Sequence, residues 1–529
     1  MTHNPFSPIL LHLQEEAAVF RPCDPLCRRH DSSLAISSPV TFPSGFCETF
    51  AVREAARQSG EGADDGVPGL CTCAGRAPSG VPDPLRSTKA MRVHIIQPTH
   101  FSAPFATSLY KTRKRGLVPL TLPYLAALVP EGIDVRLTDE QTQELDVGLP
   151  CDCVFITTTI LTSRHAYEIA DGYRGKGVPV ILGGPHCKFY GDEALGHADA
   201  IAIGEGETLV PRILEDVAGR RLQRVYEAES LHDLKALPVP RHDLLDPRAY
   251  SRFRTLAVQT TRGCPYRCEF CAERLYLGEK YRMRPVDDVV EEIRHGRSRQ
   301  VFFADSTFAG NRSRTMELME RLIPLKLRWS TLWNTSRVLD REFMRLARRS
   351  GLLHVNMGVE SINPETLEGM KKQTTPVDRL GEVVRILRDL DISFSFNLIF
   401  GWDTDQLDDF RTTLDFLQQD KVHVAFFNVF SPHKGTPIYD RYLSEGRMRD
   451  LKNLGRWPGV IAQIHPRHFT AEELEENILW MYREFYAWPS LLRRLPFPRS
   501  RASAASWFMN LSQRKMIKGN VARTNFDTI

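Results

Sequence analysis

The stretch TTRGCPYRCEFCAERLY places Cys264, Cys268 and Cys271 within eight residues, in the spacing C-x3-C-x2-C, and no cysteine follows them in the chain. Thiolates are soft ligands suited to zinc and to iron–sulfur clusters. A structural zinc site is closed by four protein ligands. Here a fourth would have to come from a distant histidine such as His242 or His295, at no familiar spacing. A ferredoxin-type cluster also takes four cysteines. Three thiolates would hold three irons of a 4Fe–4S cluster and leave the fourth iron open. An open metal position is what catalysis uses, so the trio reads as an open cluster in preference to closed zinc.

Such a loop needs a rigid platform. From TLAVQTTRG onward the chain alternates strand-like runs (RQVFFADS, RWSTLWNTS, LLHVNMGVES, ISFSFNLIFG, KVHVAFFNVF) with helical stretches such as VDDVVEEIRHG and LDDFRTTLDFLQQ. Six βα-type repeats predict a partial (β/α)6 barrel of the TIM type over residues 251–440. Chemistry on such a barrel sits at the strand C-termini. Cys264, Asp305, Asn334, Glu360 and Gly401 all fall at or just past those ends.

The three-cysteine loop after the first strand of a six-unit barrel, with aromatic Phe270 just before the last cysteine, resembles the radical S-adenosylmethionine (radical SAM) enzymes. The resemblance implies that the open iron binds the amino and carboxylate groups of S-adenosylmethionine. It implies cleavage to methionine and a 5′-deoxyadenosyl radical, and an electron donor such as flavodoxin or ferredoxin. By position it carries SAM contacts onto Phe270, onto Asp305 and Ser306 after the second strand, and onto Glu360 and Ser361 in the Gly-Val-Glu-Ser run after the fourth. The alternative for Asp305 is a helix N-cap, and for Glu360 a salt bridge at the barrel rim.

Ahead of the barrel, residues 91–219 carry five short apolar strands alternating with helices or loops, which predicts a Rossmann-like parallel sheet covered on both faces. A dinucleotide fold needs Gly-x-Gly-x-x-Gly in its first turn, but here that turn is QPTHFSAPF. Small residues come instead at later strand ends: Thr157, Thr158 and Thr159; Gly183 and Gly184; Gly204, Glu205 and Gly206. Their order, with GGPH and GEGE ahead of the cysteine loop, resembles the cobalamin-binding subfamily of radical SAM enzymes. The resemblance implies cobalamin at those residues and, most plainly, methyl transfer to an unactivated carbon. The Asp-x-His-x-x-Gly motif that supplies a lower axial histidine is missing. Plain turn chemistry for the glycines, and helix N-terminal charge for Glu205 and Glu207, are the structural alternatives. Rival functions are a cyclase or oxidative enzyme using the same cofactors, and a methylthiotransferase-like enzyme with a second cluster on Cys151, Cys153 and Cys187. A non-catalytic corrinoid or iron–sulfur protein is a third. Buried free thiols are the plainer account of those three cysteines.

The 529 residues are too many for one ordinary core. At 42% hydrophobic, 25% charged and net charge +4, the chain reads as globular, with nothing in the totals to suggest nucleic acid. No apolar run reaches transmembrane length. Eleven cysteines without an export signal argue for a reducing cytoplasm, with peripheral membrane contact as a further option. Residues 1–90 have a disorder-like composition and read as a disordered or mis-assigned extension, with Met91 as the natural start. Residues 220–250 read as a Pro-rich linker. Residues 441–529 read as a helical basic region, acid-free from Phe485 to Phe526, whose Trp507 segment would either cover the barrel mouth or touch an anionic membrane beside a small-molecule or lipid substrate.

Overall fold

The computed structural model describes residues 90–102, 106–235, 237–449, 459 and 461–518; the disorder expected over 1–90 otherwise lies outside the described residues. Its first strands are β1 (Arg92–Gln97), β2 (Arg115–Val118), β3 (Asp134–Asp139), β4 (Cys153–Thr157), β5 (Val180–Gly183), β6 (Ala200–Ile203) and β7 (Val225–Glu227). They continue as β8 (Tyr250–Val258), β9 (Thr261–Arg262), β10 (Arg282–Met283), β11 (Gln300–Phe303), β12 (Arg328–Trp333), β13 (Leu352–Glu360), β14 (Ser393–Phe400) and β15 (Val424–Val429).

The first sheet is parallel in the order β3-β1-β4-β5-β6-β7. Alternate residues of its strands feed two cores. Val93, Ile95, Phe155 and Ile181 go to one face, and Ile96, Val154, Ile156 and Leu182 to the other. Burial on both faces is why these strands read as unbroken apolar runs. One strand more than expected is present, because β7 lies within the stretch that reads as linker. A three-residue strand among charges gives no periodicity to detect.

The second sheet is an open, curled half-barrel in the order β15-β14-β13-β12-β11-β8-β2, all parallel. Its six expected strands are present. The seventh, β2, comes from the amino-terminal segment and pairs with β8 (Leu117 opposite Thr255, Val118 opposite Leu256). In sequence RGLV merges with the apolar stretch of the helix Thr121–Ala127, so the two read as one helix.

The half-barrel's strands face two ways. Val355, Met357, Val359, Phe394, Phe396 and Leu398 pack outward into the main core. Their alternates are polar and face one another: His354 contacts Ser393 (2.9 Å) and Ser395 (3.1 Å), and the Asn397 amide donates to Asn356 Oδ1 (2.6 Å). The carboxyl-terminal region is helical, as expected. Helix Ala471–Phe485 covers β15, where Tyr486 donates to Ala425 O (2.7 Å). Helix Arg501–Lys518 does not cover the mouth. It packs on the N-terminal ends of β13, β14 and β15, where Ser506 meets Ser393 (2.8 Å) and His423 (3.2 Å).

Candidate active site

The cysteine loop, residues 263–281, leaves the half-barrel through a narrow neck in which Arg262 pairs with Arg282 and Thr261 with Met283. Gly263 starts it at φ +81, and a Cβ there would lie 2.2 Å from Lys280 O, so the neck requires glycine. Asp305 sets the neck's position. Its Oδ1 accepts from the N–H groups of Thr260 (2.6 Å) and Thr261 (3.0 Å), and its Oδ2 from the Thr260 hydroxyl (2.6 Å). A carboxylate receiving three donors is a positioning group for the loop. It is not the helix cap either, since Asn311 caps Arg312–Leu322. Asn334, after β12, reaches the loop by donating to Tyr266 Oη (3.0 Å).

Cys264, Cys268 and Cys271 are all free thiols, and the Cys271 N–H donates to Cys268 O (3.2 Å). Burial pushes Cys264 up to about 11 and Cys271 up to about 12. A bound cation is therefore needed to hold thiolates here, which is what iron would do. Among the described residues no three His, Cys, Asp or Glu side chains gather closely enough for a single metal ion. A cluster, in which each thiolate takes a separate iron, does not require that convergence. The Glu269 N–H donates to Met370 O (3.0 Å), tying the loop to the segment after β13. Phe270 packs with Met370, Trp402 and Phe430, so it has a core role whatever it contacts besides. Glu360 ends β13 in the left-handed region at φ +67 and pairs with Lys372 Nζ at 3.0 Å. The Ser361 hydroxyl accepts from the Asn363 N–H (3.0 Å) and serves a turn. The Ser306 hydroxyl is buried without a well-formed hydrogen bond, and the Glu273 carboxyl lies beside it. Of the expected SAM-contact residues, Ser306 and Glu360 thus keep groups free to meet a ligand.

The first sheet's strand ends divide in the same way. Gly184, at φ +100, lets the backbone approach Thr158, where a Cβ would meet Thr158 O at 2.6 Å. Thr159 holds a turn with Thr162 (3.0 Å), and Gly204 and Gly206 lie close against Ala228 and against Leu125 and Leu128. These five make close local contacts. Thr157 and Gly183 are half-buried at the edge of β4 and β5. Glu205 is held by protein partners. It accepts from both Arg282 terminal nitrogens (2.7 and 2.8 Å) and the His232 N–H (2.6 Å), and pairs with Arg262 at 3.1 Å. Arg262 also pairs with Glu207 (2.7 Å), which accepts from Tyr124 Oη (2.6 Å). This buried cluster joins the end of β6 to the neck of the cysteine loop. Beside it the two strand-end faces meet: Phe189 packs against His433 (ring centroids 4.4 Å) and Lys434 sits over Tyr190 (4.9 Å).

Residues 258–417 match the family model described as the radical SAM superfamily. That stretch of the chain is a radical SAM domain. The chain is 28% identical, over 74% of its length and 87% of the relative's, to bacteriochlorophyllide d C-12(1)-methyltransferase of Chlorobaculum tepidum. It is 25% identical, over 66% and 61%, to the anaerobic magnesium-protoporphyrin IX monomethyl ester cyclase of Cereibacter sphaeroides. The fold matches that of the radical SAM methyltransferase TsrM from Kitasatospora setae, solved with cobalamin and a [4Fe-4S] cluster bound. The TM-score is 0.56 at 18% identity, covering 79% of this chain and 91% of that one.

The radical SAM domain also uses residues the sequence did not single out. Lys372 lies in a loop past the short helix Pro364–Gly369, where no strand-end argument reaches it, yet it sits between Glu360 and the thiols of Cys268 and Cys271. Arg262 and Arg282 flank the cysteines within arm's reach of the motif, but their partners are far away in sequence. The second-cluster reading fails on geometry. Cys153 faces one core of the first sheet and Cys187 the other, and burial pushes each thiol up to about 12.

Proposed function

We propose that this radical SAM enzyme also uses cobalamin and transfers a methyl group to an unactivated carbon. The observation that carries the reading is the meeting of the two strand-end faces. The short helix that follows β5 places Phe189 and Tyr190 against His433 and Lys434 at the mouth of the half-barrel, beside the cysteine loop. A carrier at the first sheet and a radical source at the second would share one space, which is what proximity catalysis requires. Cys264, Cys268 and Cys271 would hold the cluster, Ser306 and Glu360 offer oxygens to the S-adenosylmethionine ammonium, and Thr157 and Gly183 border the cobalamin space. When bound, these groups supply one-electron cleavage of S-adenosylmethionine and a transferable methyl group. The named methyltransferase relative supports this reading. A cytoplasmic setting with an electron donor such as flavodoxin or ferredoxin fits it.

The test is anaerobic reconstitution followed by turnover with methyl-labelled S-adenosylmethionine. About one corrinoid per chain and label on a carbon of the product are expected. Loss of corrinoid on gel filtration would remove the cobalamin half. The cyclase relative favours one second reading, an oxidative ring closure. Retained corrinoid with an unlabelled, altered product would select it.

A further inference from the structure

The face opposite the cysteine loop, formed by the strand N-terminal ends, collects cations, and the acid beside them, Asp391, is taken up by Arg348 (3.2 Å) and the Ser500 hydroxyl (2.6 Å). Arg299 precedes β11, Arg328 opens β12 and Arg501 opens the last helix. The Arg328 guanidinium is held below its usual value by burial and then by the charges of Arg501 and Arg299. The charges that act on Arg328 are the other two arginines, and between Tyr486 and Lys518 there is no acidic residue at all. Like charges gathered this way cost free energy unless an anion lies against them.

Exposed apolar side chains stand among these cations. Phe497 is 73% exposed, Leu492 69%, Phe253 62% and Trp488 47%. Arg514 lies over Trp488 (5.1 Å), Leu492 is one helical turn from Trp488, and Arg499 lies over Phe497 (5.5 Å). Phe253 projects past the start of β11, since β8 pairs Thr255 with Gln300. Nucleic acid would call for the cations but not for an exposed leucine and phenylalanines. An interfacial membrane site calls for both, with rings and leucine in the headgroup region and cations on anionic lipid.

We infer that this basic, apolar-studded face docks the enzyme on an anionic lipid surface. No helix among the described residues is long and apolar enough to cross a membrane, so the contact is peripheral. It leaves the mouth of the half-barrel turned away from the bilayer.

The test is flotation of the full chain with vesicles of phosphatidylcholine alone and of phosphatidylcholine mixed with phosphatidylglycerol. Binding to the mixed vesicles only, released by salt, is expected. Arg299→Gln with Arg501→Gln should weaken it about twenty-five-fold, at about fivefold per charge. Leu492→Ser with Phe497→Ser should abolish it at unchanged thermal unfolding, because both side chains are exposed. The inference is overturned by any of three results. They are no partition into mixed vesicles, partition that both double variants retain, and arginine-dependent binding to nucleic acid in place of vesicles.

Discussion

Lys372 and Glu360 form a pair whose members are hard to remove singly. Both are largely buried, with Lys372 Nζ 3.0 Å from the carboxylate. Lys372→Met should cost about 3 kcal/mol, because it leaves Glu360 charged and unpaired, and Lys372→Met with Glu360→Gln should recover most of that loss. Urea unfolding of the three proteins checks this. A double variant as unstable as the single one would mean that the lysine holds something other than Glu360. The cysteines make a plainer prediction. Any one of Cys264→Ala, Cys268→Ala or Cys271→Ala should abolish reductive cleavage of S-adenosylmethionine and most anaerobic iron loading, read as deoxyadenosine formed and iron per chain. At this scale the gathering of the three cysteines on one loop was legible, since their spacing is local. Asp305 was legible in place but not in role, because nothing in sequence tells a carboxylate aimed at a ligand from one absorbed by the backbone of the neighbouring strand. The ion pairs of Glu205 were not legible for a related reason: Arg262 and Arg282 lie 57 and 77 residues further on, beyond any local pattern.

Strand periodicity was the strongest signal at the level of elements, and SFSFNLIF shows why. Its alternation sends Phe394, Phe396 and Leu398 outward and Ser393, Ser395 and Asn397 inward. Burial holds two histidines neutral near these strand starts, His354 in the inward row and His423, which stacks on Phe394 (ring centroids 4.4 Å). His354 is pushed down to about 3, and His423 to about 3 by burial with help from Arg388, Arg494 and His354. In the unfolded chain each would titrate near 6.5. Their contribution is therefore complete above pH 6.5 and is lost as pH falls toward the folded value. Stability should drop by about 2 kcal/mol per histidine between about pH 6.5 and pH 5. Urea midpoints across that range, compared with those of His354→Asn, check the sign and the size. A slope unchanged by the substitution would place the protonation elsewhere. The short elements β2 and β7 escaped because three or four residues cannot express a period, and β2 also ran straight into a helix.

For the molecule as a whole, the join between the two sheets matters most. Glu205 and Glu207 hold Arg262 and Arg282 at the neck of the cysteine loop, with all four side chains nearly inaccessible. Glu205→Gln should loosen that neck. Amide exchange over residues 263–281 is expected to quicken while the core strands β13 and β14 keep their protection. Uniform quickening would instead mean global destabilisation. The strand β2 has a different consequence, which concerns how the chain is made. The ribosome releases it more than a hundred residues before β8, and β8 is the neighbour it needs. Until β8 emerges the nascent β2 has no partner, and a chain begun at β8 would carry a bare edge for life. Such edges recruit other chains. The radical SAM domain expressed from residue 251 should accordingly aggregate, and a chain begun at Met91 should stay dispersed, as read by the soluble fraction of each after translation.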